Sequence, residues 1–125
     1  MEKKSLGRWG EDRAAEFLER RGYEIVCRNY LTRFGEIDLV ARDGRFLAFV
    51  EVKLRKDAEH GLAREFVTRS KQERVILAAR QYLQEHGTEL QPRFDVVEVY
   101  APQATKTASD ELIINHIENA FEVRS

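Results

Sequence analysis

The run Phe46-Leu47-Ala48-Phe49-Val50 holds five apolar residues without a polar break, and it follows Asp43-Gly44 closely. Asp-Gly ahead of an apolar run predicts a tight hairpin turn. The unbroken run predicts a strand buried on both faces, and so a central one. Glu51, Val52 and Lys53 come directly after it. Residues two apart on a strand point to the same face, so Glu51 and Lys53 share one. A carboxylate in such a setting is costly unless something compensates it. On the other side of the turn, Asp38 interrupts the apolar run of Glu36 to Arg42 in the same way. Counting outward from the turn brings Asp38 beside Glu51 and Lys53, within a residue or two of register.

The remaining pattern fills in a single domain over residues 1–125, with no repeat, linker or low-complexity stretch. Leu6, Trp9, Ala14, Phe17 and Leu18 recur at helical spacing, predicting a helix over residues 5–21 with Gly22 as its stop. Strands are expected at Tyr23–Asn29, Glu36–Arg42 and Arg45–Leu54, followed by a polar loop over 55–69. Ser70-Lys71-Gln72-Glu73 matches a capping box for a second helix that ends near His86-Gly87. A strand at Phe94–Tyr100, a loop over 101–110 and a short strand at Leu112–Ile117 complete the chain. The order is α-β-β-β-α-β-β. A helix between the third and fourth strands permits a crossover, so the fold class is α/β, with a central mixed β-sheet flanked by helices.

Two carboxylates about 4 Å apart repel by roughly 4 kcal/mol at an effective dielectric near 20. Lys53 offsets one of them. Glu11, at the edge of the first helix's apolar stripe, faces the interior and adds a third acid. Three acids against one ammonium leave an excess that a divalent cation would neutralise. Oxygen donors without Cys or His suit a hard ion, Mg²⁺ or Mn²⁺. Cys27 is the only cysteine, which rules out an internal disulfide or a thiolate metal cluster. Glu36 shares a strand face with Asp38 and reads as a solvated strand end, with an outer-sphere metal ligand as the alternative. Asp95 reads as structural, paired with Arg93 or a strand neighbour. His60, His86 and His116 have no ligand spacing and receive no role.

Charge is distributed unevenly. Residues 1–80 hold 18 Lys and Arg against 14 acids, whereas residues 81–125 hold 3 against 8. Local cation clusters, not net charge, govern phosphate binding. Arg55, Lys56, Arg64 and Arg69 flank the polar loop, and Lys71 and Gln72 lie on the inward side of the second helix's first turn. Arg55, Lys56, Arg69, Lys71 and Gln72 are therefore candidate nucleic-acid contacts. No apolar run is long enough to cross a bilayer, and Met1-Glu2-Lys3-Lys4-Ser5 lacks the apolar stretch of a secretory signal. The expectation is a cytoplasmic protein without a membrane partner.

Asp38, followed by Glu51-Val52-Lys53, resembles the signature of the PD-(D/E)XK nuclease superfamily. More closely, Gly10-Glu11-Asp12-Arg13-Ala14-Ala15, Gly35-Glu36-Ile37-Asp38 and Phe49-Val50-Glu51-Val52-Lys53-Leu54-Arg55 resemble the YraN-type family of small bacterial proteins. Lys71 and Arg93-Phe94-Asp95-Val96-Val97 fit that pattern too, and the tail after residue 100 fits only through Ile117-Glu118-Asn119-Ala120-Phe121. The first helix is similar to that of archaeal Holliday-junction resolvases. Ile37 stands where the superfamily's name has Pro. The resemblance implies a restriction-endonuclease-like fold. It also implies metal ligation by Asp38, Glu51, the Val52 backbone carbonyl and Glu11, with Lys53 catalytic, orienting the attacking water or steadying developing charge. The implied activity is Mg²⁺- or Mn²⁺-dependent hydrolysis of phosphodiesters in DNA, with branched or damaged structures as candidate substrates and a homodimer as the working form. Two other readings stay open: a non-catalytic nucleic-acid-binding or recombination and repair accessory module, and an interaction protein whose acids and lysine form only a buried ion network.

Overall fold

The computed structural model describes residues 3–55, 67–100 and 113–123, with side chains from residue 7 onward. Helix α1 (Lys3–Arg20) leads into strands β1 (Glu24–Thr32), β2 (Gly35–Asp43) and β3 (Phe46–Arg55). Helix α2 (Arg69–His86) then precedes β4 (Gln91–Tyr100) and β5 (Ile113–Phe121). The expected order is reproduced, and the strands form one mixed sheet ordered β1-β2-β3-β4-β5. β3 and β4 run parallel and every other pair is antiparallel. The doubly buried run over 46–50 occupies the middle strand, as its composition requires. Gly44 takes φ 56° at the β2–β3 turn, a conformation open to glycine at little steric cost.

Alternation along the strands builds two cores. Val40, Phe49, Phe94 and Val96 pack with Val75, Ala78, Ala79 and Tyr82 of α2. Leu39, Ala41, Ala48, Val50, Val97 and Val99 pack with Ala14, Ala15 and Leu18 of α1. One helix therefore covers each face, and the sheet's central residues are dry on both sides. At Gly10, α1 runs beside Leu54 of β3, where a Cβ would make ordinary contact with Leu54 Cδ1 at 3.4 Å. Arg28 Nη2 of β1 donates to Asp12 Oδ1 at 2.5 Å and ties the same turn of α1 to the sheet edge.

Three boundaries and one cap differ from expectation. β1 continues to Thr32, whose hydroxyl accepts from the Phe34 and Gly35 N–H groups and closes the hairpin onto β2. β4 begins at Gln91, with Pro92 tolerated near the strand's start. β5 runs on to Phe121 through Asn119, whose φ of 52° accompanies a register shift opposite Phe94–Val96. Bulges of this kind break the period-2 pattern that marks a strand in sequence. Ser70 is not the cap of α2. Thr68 is, because its Oγ1 accepts from the Lys71 N–H at 3.1 Å, while Glu73 instead pairs with Arg69. The helix starts one residue before the predicted box, so the box residues lie inside its first turn. Among the described residues, no helix is long and apolar enough to cross a membrane. The expected loop over 101–110, Leu112, Lys56 and Arg64 lie outside the described residues.

Candidate functional site

The β2–β3 ladder pairs residues from Asp43 and Phe46 up to Leu39 and Val50, one residue short of Asp38 and Glu51. Asp38 Oδ2 accepts a hydrogen bond from the Val52 N–H at 2.8 Å. Burial, with the Glu51 charge second, raises the Asp38 carboxyl from 3.8 to about 7, against the lowering effect of the Val52 bond. Glu11 and Lys71 also act on Asp38, in opposite directions. Glu51 and Glu11 thus both act on Asp38, but the oxygens of Glu11, Glu36 and Asp38 are the ones that gather within 4.8 Å, and Glu51 is not part of that group.

Glu51 is buried, at 6% exposure. Its Oε1 faces two ammonium groups, Lys71 Nζ at 3.4 Å and Lys53 Nζ at 3.7 Å. Its Oε2 is buried without a hydrogen-bond partner among the described residues. An unsatisfied buried carboxylate oxygen is expensive, and native structures rarely tolerate one without a purpose. The pairing with Lys53 matches the sequence reading. That with Lys71 had not been anticipated, because Lys71 belongs to a helix far along the chain.

Two residues outside the expected ligand set also join the cluster: Glu36, which the sequence placed beside Asp38, and Asn29, which it did not single out. Glu36 is half-buried, and one oxygen each from Glu11, Glu36 and Asp38 lie within 4.8 Å of one another. Asn29 Nδ2 bridges the outer pair, donating to Glu11 Oε1 at 2.9 Å and Glu36 Oε1 at 2.8 Å. Asn29 holds φ 52° in the middle of β1, a left-handed conformation that Asn adopts more readily than most side chains. The sequence signal was faint: a single Asn in a run of strand-forming residues. Beyond Lys53, buried Glu98 of β4 accepts from Asn115 Nδ2 at 2.8 Å and lies 3.9 Å from Arg55 Nε.

The candidate nucleic-acid contacts separate into two groups. Lys71 and Arg55 sit beside the acids or their neighbours. Arg69 is exposed and pairs with Glu73 at 3.6 Å. Gln72 Nε2 donates to the Val67 carbonyl at 2.9 Å, so its amide helps hold the entry to α2.

Several proteins align with this chain along nearly its whole length. One from Syntrophotalea carbinolica is 47% identical over 120 residues, covering 95% of this chain and 93% of its own. One from Pelotomaculum thermopropionicum is 45% identical over 120 residues, covering 95% and 97%. One from Geobacter sulfurreducens is 45% identical over 121 residues, covering 96% and 91%. All three are named as UPF0102 proteins. The model of the family described as "Uncharacterised protein family UPF0102" matches residues 10–99. The chain belongs to the UPF0102 family. The UPF0102 match opens one residue before Glu11 and runs past Lys71, so it spans every member of the acid and lysine cluster. β5 falls outside the UPF0102 match and supplies none of those side chains.

Proposed function

We propose that the chain is a divalent-metal-dependent nuclease of the restriction-endonuclease-like class, which hydrolyses phosphodiester bonds in DNA. The observation that carries this reading is the buried Glu51 Oε2, unpartnered among the described residues, on a carboxylate close enough for its charge to act on Asp38. A structural ion network would be expected to satisfy both oxygens. Among the described residues one oxygen, Oε2, has no such partner, which supports a role in holding a ligand. The donor set fits a hard ion, since every nearby anionic ligand is a carboxylate. Asp38, Glu51, Glu11 and the Val52 carbonyl would hold Mg²⁺ or Mn²⁺, and Glu36 stands close enough to Asp38 to act through a bound water. Such an ion, when bound, supplies Lewis-acid polarisation of the phosphoryl group and a more acidic water.

The protein's own groups have separate tasks. The Val52 N–H fixes Asp38 Oδ2 and so sets the direction of that carboxylate. At neutral pH burial and Glu51 leave the Asp38 carboxyl partly protonated, so ligand binding there releases a proton. Lys53, held by Glu51 and partly exposed, donates to the attacking water or to charge developing on phosphate oxygen. Lys71 and Arg55, with Arg69 further out, supply cations for the phosphate backbone, and Lys56 is a further candidate from the sequence. Branched or damaged DNA is the substrate class we favour, and a homodimer would present two such sites to two strands.

The second reading is an accessory module that binds nucleic acid without cutting it. It draws on one observation: Glu51 Oε1 already has two ammonium partners. Cleavage of duplex, single-stranded and four-way DNA with Mn²⁺ separates the two, measured beside Glu51→Ala and Lys53→Ala. The nuclease reading expects product from the unmodified protein and near-complete loss in both variants. Equal residual cleavage by all three would mark a contaminant and remove the reading.

A further inference from the structure

We infer that Lys71 is an exchangeable counter-ion of Glu51, released to a substrate phosphate when a divalent cation occupies the carboxylates, so that cation binding precedes and strengthens phosphate binding. The inference rests on the metal-dependent reading above and adds an order of events to it.

Glu51 Oε1 has two cationic neighbours of different kinds. Lys53 stands two residues along the same strand, and its position relative to Glu51 is set by β3 itself. Lys71 reaches Oε1 from α2, a separate element, and approaches more closely, at 3.4 Å against 3.7 Å. Its side chain is 36% exposed, whereas Glu51's is 7% exposed, so only the lysine can leave. Four methylenes give it the reach to do so.

Position in the helix makes the attachment conditional. Lys71 lies in the first turn of α2, and its N–H is the one that Thr68 caps. A cation at a helix N-terminus opposes the macrodipole. The Glu51 carboxylate compensates for that placement, and the Asp38 carboxyl lies within range of the same ammonium. A dication sharing Glu51 would repel Nζ and withdraw the charge that held it there. The ammonium then lies beside a helix N-terminus, an environment that favours an anion such as a phosphate oxygen.

Competition gives the idea a sign that a structural role does not share. If Lys71 is a counter-ion of the carboxylate that the cation shares, its removal must tighten cation binding while weakening the cation-dependent part of DNA binding. Mn²⁺ titration followed by electron paramagnetic resonance, with circular dichroism to verify folding, reads the first effect in the intact chain. We expect K71M and K71Q to bind Mn²⁺ about three- to tenfold more tightly than the unmodified protein at low salt, with K71R unchanged. Fluorescence anisotropy with a labelled DNA duplex reads the second. Ca²⁺ should strengthen binding by the unmodified protein and by K71R, and should do so several-fold less in K71M. E51Q should bind the duplex more tightly than the unmodified protein in chelator, and the E51Q/K71M pair should lose that gain. Mn²⁺ binding that is unchanged or weaker in folded K71M and K71Q overturns the exchange and leaves the metal site standing. An unmodified protein that binds no Mn²⁺ overturns the metal reading and the exchange together.

Discussion

Asp38 with Glu51, and Asp95 on β4, are acids that interrupt apolar strand runs, yet the protein treats them in opposite ways. Asp95 is fully buried. Arg93 donates to both of its oxygens, at 2.9 Å from Nε and 2.8 Å from Nη2. His116 Nε2 stands 2.8 Å from Oδ2, and the Asn119 N–H donates to Oδ1 at 3.0 Å. Burial alone would raise this carboxyl, but bonds from His116, Arg93 and Asn119 outweigh it and hold the group below its ordinary range. Arg93 also donates to the Tyr23 hydroxyl at 2.6 Å, so the network ties the start of β1 to β4 and β5. Asp38 has one backbone donor, an acidic neighbour and a carboxyl raised to about 7. One cluster is closed, with its oxygens saturated by protein donors. The other is open: Glu51 Oε2 has no hydrogen-bond partner among the described residues.

That contrast can be broken in four measurements, from the largest expected effect to the smallest. Asp95→Ala leaves the Arg93 guanidinium buried without its partner, and urea unfolding should show a loss of about 3–5 kcal/mol. Glu51→Gln, in chelator, should be neutral or slightly stabilising in the same assay. Comparable losses in both would erase the distinction. Next, Mn²⁺ at about a hundred times its dissociation constant should add about 2.7 kcal/mol to the unmodified protein's stability. The D38N/E51Q pair should gain nothing, and an equal rise in its melting temperature would refute the site.

The third measurement uses pH. A carboxyl whose folded-state value is raised from 3.8 to about 7 binds its proton more tightly in the fold than in the unfolded chain. Stability is therefore greatest at low pH from this group and falls as pH rises from about 4 to about 7. In chelator, D38N should match the unmodified protein near pH 4 and exceed it by on the order of 2 kcal/mol at pH 8. A gap of the same size at both pH values would show that ionisation of Asp38 is not the cause. The smallest effect concerns the helix that delivers Lys71 to Glu51. Thr68→Ala should cost about 1 kcal/mol by removing the cap of α2. Ser70→Ala, inside the first turn, should change stability by no more than about 0.5 kcal/mol.

Much of the open cluster was legible before any coordinates. The Phe46–Val50 run and the Asp43-Gly44 turn determined a central strand and its antiparallel neighbour, because burial period and turn chemistry are local properties. Register then followed by counting from the turn, which put Asp38 beside Glu51. Helix α1 was equally plain from its apolar spacing, and Glu11 with it. The closed cluster was legible only in part: Asp95 could be matched to Arg93, two residues away, but not to His116 or Asn119 across a strand pair with a bulge.

What only the tertiary structure decided was every contact made across distant elements. Lys71 meets Glu51 because α2 packs over the sheet, and Asn29 joins Glu11 to Glu36 because β1 bends at a left-handed residue. Thr68 replaced Ser70 as the cap for a related reason: where a helix begins depends on how its entry packs, here through Val67 and Gln72. The chain by itself determined which acids sit in strands that must be buried. Whether a buried acid is saturated or left open depends on donors brought in from elsewhere, and no local pattern records them.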